Sequence, residues 1–152
     1  MTDTTDTHQL LINGAWRDGG TGEWLPVLNP ATEQPIGRLA VASKSDLDDA
    51  LAAAKAGFQQ WRQISAVERS KLLRQGAAYL RDAADSLATE LTRQQGKPLV
   101  EAKGELAICA DVLDWYAEEA RRIYGRLIPA RQPNVTQSVV HRSEERRVGK
   151  EC

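Results

Sequence analysis

Apolar residues recur at three- and four-residue steps through most of the chain. The clearest case is Leu99, Ala102, Leu106, Ala110, Leu113, Ala117 and Ala120, a spacing that predicts one buried stripe on a long helix. Glu101, Lys103, Glu105, Asp114, Glu118, Arg121 and Arg122 occupy its other faces. Gly96 and Pro98 precede the run and Gly125 follows it, as expected of residues that end one helix and open the next. Two earlier stripes carry start signals. Ser43 with Asp46 forms a capping-box pattern ahead of Leu47, Ala50, Leu51, Ala54, Phe58 and Trp61. Ser65 with Glu68 repeats it ahead of Leu72, Leu73, Ala77, Leu80, Ala84, Leu87 and Leu91, with a bend expected near Asp82.

The first forty positions read differently. Residues 10–12 and 15–17 are short β-prone runs around Asn13-Gly14, a pair that tolerates positive φ and signals a hairpin. Residues 18–22 form a second turn, and 23–28 and 34–41 read as strands around the turn initiator Asn29-Pro30. After the long helix, 126–134 is loop-like with two prolines, and 136–141 reads as the start of a strand. Residues 1–9 are Thr/Asp-rich and read as disordered. The expected class is α+β: short N-terminal β-hairpins followed by three or four amphipathic helices.

Composition changes this picture little. At 152 residues, 41% hydrophobic and 27% charged, the chain is ordinary for a globular protein. A net charge of −1 supplies no field to attract nucleic acid or an anionic membrane. No apolar run approaches the roughly 18 residues of a membrane span. The first residues lack a basic and then apolar leader, so a cytoplasmic location is expected. Two cysteines, Cys109 and Cys152, make no disulfide framework.

Chemical motifs are sparse. Gly19, Gly20 and Gly22 suggest a nucleotide loop, but the G-x-G-x-x-G spacing fails at Leu25 and no βαβ unit precedes them. Gly96-Lys97 resembles the end of a phosphate loop, yet Pro98 stands where Ser or Thr is required. Cys109 falls mid-helix, away from the cation or helix N-terminus that would activate it, and reads as a structural thiol. His8 and His141 are isolated, and no cluster has metal-ligand spacing. Asn134-Val135-Thr136 is a glycosylation sequon by its letters only.

Five segments nonetheless stand together in a familiar order: LLINGAWR, NPATEQPIG, AAAKAGFQQWR, QGKPLVEAKGE and DWYAEEARRIYG. Over residues 10–142 the chain resembles the N-terminal part of the aldehyde dehydrogenase superfamily, and within it the succinate-semialdehyde dehydrogenase group. One position departs, since Gln94 stands where the family usually carries Glu. The resemblance implies an α/β, Rossmann-like parent that oxidises an aldehyde, such as succinate semialdehyde, to a carboxylate with NAD or NADP through a cysteine thioester. It implies a dimeric or tetrameric parent, with the strand near Gln137 joining the subunit sheet. The family's nucleophile, general-base Glu and cofactor loop lie C-terminal of these residues. No catalytic or cofactor-binding residue is therefore expected here, and the segment alone is expected to be inactive and to bind no cofactor. In the resembled family a helix in this position borders the aldehyde tunnel, which would place Ile108, Val112 and Trp115 on that tunnel; plain core packing is the competing reading.

Residues 142–152, RSEERRVGKEC, have no apolar periodicity and resemble the in-frame translation of a sequencing adapter. Residues 143–152 are therefore read as a foreign tail, with Arg142 assignable to either side. A rival reading of the remainder is a stand-alone helical module that binds a partner without catalysis. A nucleic-acid binder is disfavoured by the missing basic stripe.

Overall fold

In the computed structural model, which describes residues 6–141, Asn13 and Gly14 take φ values of 52° and 76°. Two consecutive positive φ values give the turn whose twist matches two paired strands. They join β2 (Leu10–Ile12) to β3 (Ala15–Arg17) in antiparallel register, Ile12 opposite Ala15. A second sheet has the order β1-β5-β4, from Asp6–His8, Pro35–Ala40 and Trp24–Leu28. The β4–β5 turn closes on Asn29, whose Oδ1 accepts the Ala31 N–H at 2.9 Å and whose own N–H donates to the Gln34 carbonyl at 2.9 Å. The sequence reading left 1–9 without structure. Asp6–His8 instead form β1, paired in parallel with β5, because a neighbouring strand edge supplies partners that local composition cannot reveal.

Helix α1 (Lys44–Trp61) begins at a complete capping box, with Ser43 accepting from the Asp46 N–H and Asp46 accepting from the Ser43 N–H. Helix α2 (Ala66–Asp82) starts at Ser65, which caps the Glu68 N–H at 3.2 Å. The bend expected near Asp82 is a full break. Ala83, at φ −94° and ψ 6°, ends α2 and opens α3 (Ala84–Gln95). Gly96 then closes α3 at φ 73°, and α4 (Leu99–Ala120) follows from Pro98. A Cβ on Gly96 would lie 2.9 Å from Pro30 Cγ, so this left-handed turn also lets the sheet's Asn29-Pro30 corner approach the helices.

The core lies where α2 and α3 meet α4, and it is built from small residues. Ala77, Ala88, Ala102, Ala110 and Ala117 have no exposed surface, and Ser70 is buried beside them. Among the described residues no large side chain is fully buried. Alanine loses no rotamer entropy on packing and lets helices approach closely. Arg81 forks to Asp111 and Asp114 at 2.8 Å each, Arg74 pairs with Glu118, and Lys103 meets Asp85 at 2.7 Å. These exposed pairs fix which way α4 lies more than they stabilise it.

The α1 stripe is helical as its spacing predicts, yet Leu47 and Leu51 are more than half exposed, and only at its end does Trp61 border Leu73 and Tyr116 of other helices. Residues 126–134 were read as a loop, but Arg126–Pro129 form β6, antiparallel to β7 (Thr136–Val139). Gly125 permits that pairing, because a Cβ there would fall 2.5 Å from the Val139 carbonyl oxygen. The adapter-like residues 142–152 lie outside the described residues.

Bare leucine faces and an all-alanine core predict a loosely packed chain. The isolated 152-residue protein should bind an apolar fluorescent dye at neutral pH and melt over a broad range by near-UV circular dichroism. A sharp, cooperative melt without dye binding would contradict this.

Candidate functional site

Helix α4 carries two apolar faces rather than one. At about 3.6 residues per turn, Ala102, Ala110 and Ala117 face α2 and α3, while Ile108, Val112 and Trp115 emerge on nearly the opposite side. Ile108 is 65% exposed, Val112 46% and Trp115 65%. The reading of α4 as amphipathic, with one stripe and charged remainder, is therefore incomplete. A helix that is apolar on both sides belongs inside a larger body. The three predicted tunnel residues do share one surface, spaced four and three apart, and they are not core within the described residues. Cys109 lies mid-helix between the faces and is exposed. It stands midway along α4 rather than at that helix's N-terminus, where a thiol would be activated.

The glycine-rich turn proves to serve a carboxylate of the chain itself. Asp46 Oδ2 accepts the Gly20 N–H at 2.7 Å, the Ser43 N–H at 2.8 Å and the Ser43 hydroxyl at 2.7 Å. Arg17 Nη2 stands 3.1 Å from Asp46 Oδ1 and 3.0 Å from Asp49 Oδ2. A Cβ on Gly19 would meet the Val41 carbonyl oxygen at 1.9 Å, and one on Gly20 would meet Ser43 Oγ at 2.6 Å. The glycines therefore let the turn wrap the start of α1, and the Gly20 N–H is not free for a phosphate. The Gly20 bond above all, then the two Ser43 bonds, hold the Asp46 carboxyl down at about 2 from an ordinary 3.8; burial opposes this and Arg17 adds to it.

The other phosphate-loop lookalike is also structural. Gly96 is the α3 terminus, Lys97 pairs with Glu105, and Pro98 opens α4. Among the described residues no group of three or more His, Cys, Asp or Glu is placed to hold a metal ion, and no helix is long and apolar enough to cross a membrane.

Two hollows among the described residues bear on function. One of about 510 Å³ lies between the first hairpin and α1, against Ile12, Arg17, Asp49 and Ala53, with Arg17 already engaged by two carboxylates. The other, about 380 Å³, lies where the ends of α1 and α4 meet α2. Trp61, Leu73, Tyr116 and Ile123 wall it, and Arg69, Glu119 and Arg122 bring charge. Sequence reasoning missed this cleft, since its walls come from three helices and only their packing brings Arg69 near Tyr116.

Comparison with known proteins follows the same lines. The model of the aldehyde dehydrogenase family matches residues 16–143. The chain is 50% identical over 126 residues to a 4-(hydroxymethyl)benzenesulfonate dehydrogenase of Comamonas testosteroni, covering 83% of this chain and 26% of that protein. It is 43% identical over 127 residues to a glutarate-semialdehyde dehydrogenase of Pseudomonas putida, covering 84% of this chain and 26% of that one. The crystal structure of a succinate-semialdehyde dehydrogenase from Burkholderia pseudomallei superposes with a TM-score of 0.80 at 36% identity, over 84% of this chain and 26% of that one. The chain thus spans about a quarter of the length of the relatives it matches.

The Asp46 knot makes a prediction independent of any relative. Its folded-state pKa is depressed, so its contribution to stability is present above about pH 4 and is lost as pH falls through about 2. A carbon-13 carboxyl titration should place the Asp46 midpoint well below its ordinary 3.8. Asp46→Asn should abolish that part of the acid destabilisation, and an ordinary midpoint would refute the knot.

Proposed function

Because the chain belongs to the aldehyde dehydrogenase family, we propose that it is the N-terminal scaffold of a larger enzyme that oxidises a semialdehyde to a carboxylate with NAD(P)⁺ as hydride acceptor. The observation that carries this reading is the second apolar face of α4, bare across Ile108, Val112 and Trp115, in a chain that matches the family over residues 16–143. A stand-alone interaction module fits less well, since the chain buries mainly alanine and leaves its larger apolar side chains partly or largely open.

The substrate we propose is succinate semialdehyde or a similar aldehyde with an anionic group remote from the carbonyl. The names of the relatives support this class: glutarate semialdehyde, succinate semialdehyde and a benzenesulfonate all carry such a group. The intact enzyme would act through a cysteine thioester, hydrolysed by a Glu-activated water, with both residues supplied beyond this segment. The residues present do not fit the nicotinamide cofactor. The glycine-rich turn is occupied by Asp46, and the described strands lack a parallel strand–turn–helix unit with a free loop. On this reading the reacting atoms come from the rest of the intact enzyme.

What it contributes is shape. Ile108, Val112 and Trp115 would form one wall of the aldehyde's approach, reading the bulk of the substrate and excluding water. That wall carries no cation, so the anionic end of the substrate must be held by residues elsewhere. The β6–β7 hairpin, whose side chains are all exposed, would extend a sheet in a dimer or tetramer of the intact enzyme.

The test is a chimera that joins residues 1–141 to the remainder of the Comamonas enzyme, assayed by nicotinamide reduction beside the isolated chain. The chimera should oxidise semialdehydes and the isolated chain should not; activity in the isolated chain, or a folded but inert chimera, would overturn the proposal. In the active chimera, Trp115→Ala should change the ratio of kcat/KM between a short and a bulky aldehyde by about tenfold or more. An unchanged ratio would return Trp115 to plain packing.

A further inference from the structure

Among the described residues two arginines keep a buried Nε without a partner, Arg17 and Arg69; Arg17 is held through Nη2 by Asp46 and Asp49, whereas no ion pair of Arg69 stands beside its cleft. Arg69 projects from the first turns of α2 into the cleft beside Trp61, Leu73, Tyr116 and Ile123. Its Nε is buried and has no hydrogen-bond partner among the described residues. A guanidinium cannot escape by losing its proton, so an enclosed N–H without an acceptor is costly. The carboxylate in the cleft, Glu119, is committed to Arg122. The walls offer aromatic and aliphatic surface, with Tyr116 and Ile123 more than half exposed.

We infer that this cleft is the socket for an acidic residue carried on an apolar segment of the polypeptide that follows this region in the intact enzyme, with Arg69 as its anchor. The inference rests on the proposed function, because it requires a longer protein. Charge complementarity defines the chemistry of the occupant, since the planar fork of arginine is matched best by a carboxylate. The size of the bare surface identifies its source. Exposed apolar side chains run on from the cleft walls at Tyr116 and Ile123 to Tyr124. An apolar stretch that continues past the rim suits a polypeptide segment better than a small ligand seated in the cleft alone. The relatives, meanwhile, possess roughly three-quarters of their length beyond the part that this chain matches, given a coverage of 26%.

The chimera described above tests this. Arg69→Gln should lower its folding equilibrium constant by about tenfold or more, while leaving the isolated chain no less stable, because there it removes a buried N–H that has no acceptor. Arg69→Lys, which keeps the charge but loses the fork, should recover only part of the loss. Replacing each Asp and Glu of the added remainder by its amide should reveal one position whose effect is not additive with Arg69→Gln in a double-mutant cycle.

An Arg69→Gln effect of equal size in both proteins, or no coupled carboxylate, would overturn the inference. So would an isolated chain that binds free benzoate or self-associates only while Arg69 is present, with no coupling in the chimera. The two readings fail separately. An inert chimera that still shows the Arg69 coupling sinks the enzyme assignment alone, whereas an active chimera indifferent to Arg69 sinks the socket alone.

Discussion

The contact on which the rest depends is the alanine seam between α4 and the pair α2–α3. Ala77 and Ala88 on one side and Ala102, Ala110 and Ala117 on the other are completely enclosed. Each contributes little more than a methyl group, and burial is worth about 0.8 kcal/mol per such group. These alanines therefore give little energy but strict geometry, since any larger residue there would push the helices apart. The ion pairs along its edge, from Arg74 and Arg81 of α2 to Glu118, Asp111 and Asp114 of α4, keep the register without adding much stability.

A second constraint ties the strands to the helices. Asp46 is both the reciprocal half of the α1 capping box and the acceptor for the Gly20 N–H and partner of Arg17. One carboxylate thereby sets where α1 begins and where the first hairpin sits. The turn at Asn29-Pro30 performs a similar office at the other end of the sheet, where Pro30 lies against Gly96 between α3 and α4. Neither link needs a large hydrophobic core, which suits a segment whose apolar surfaces are largely directed outward.

Much of this was legible in the sequence because it rests on local rules. Asn13-Gly14, Ser43 with Asp46, Ser65, Gly96 and Pro98 act within a few residues of themselves, and the structure places hairpin, caps and helix ends there. Ile108, Val112 and Trp115, which only the family resemblance set on a tunnel face, have a spacing that puts them on one surface, and all three are exposed. What escaped was non-local. Strand β1 exists because β5 offers an edge, β6 because β7 pairs with it, and the Arg69 cleft because three helices converge. The α1 stripe illustrates the converse, since its periodicity says that one face is apolar but not whether anything covers it. Leu47 and Leu51 are open in the structure all the same.

The two sides of α4 differ in what they bury, and that difference bears on function. The seam side carries the buried alanines with half-buried Leu106 and Leu113, while the bare side carries Ile108, Val112 and Trp115; an aliphatic of this size is worth about 1.5–3 kcal/mol when fully enclosed. A large share of the hydrophobic free energy available to this helix thus lies on a face that no described element covers. A helix arranged in this way is positioned cheaply by one partner and held strongly by another, so its placement depends on the larger body completing itself. In the substrate-lining role proposed above, that order would have a consequence. The wall would take its final shape only when the rest of the intact protein had closed against it, so recognition of substrate bulk and assembly of the reactive centre would become one event rather than two.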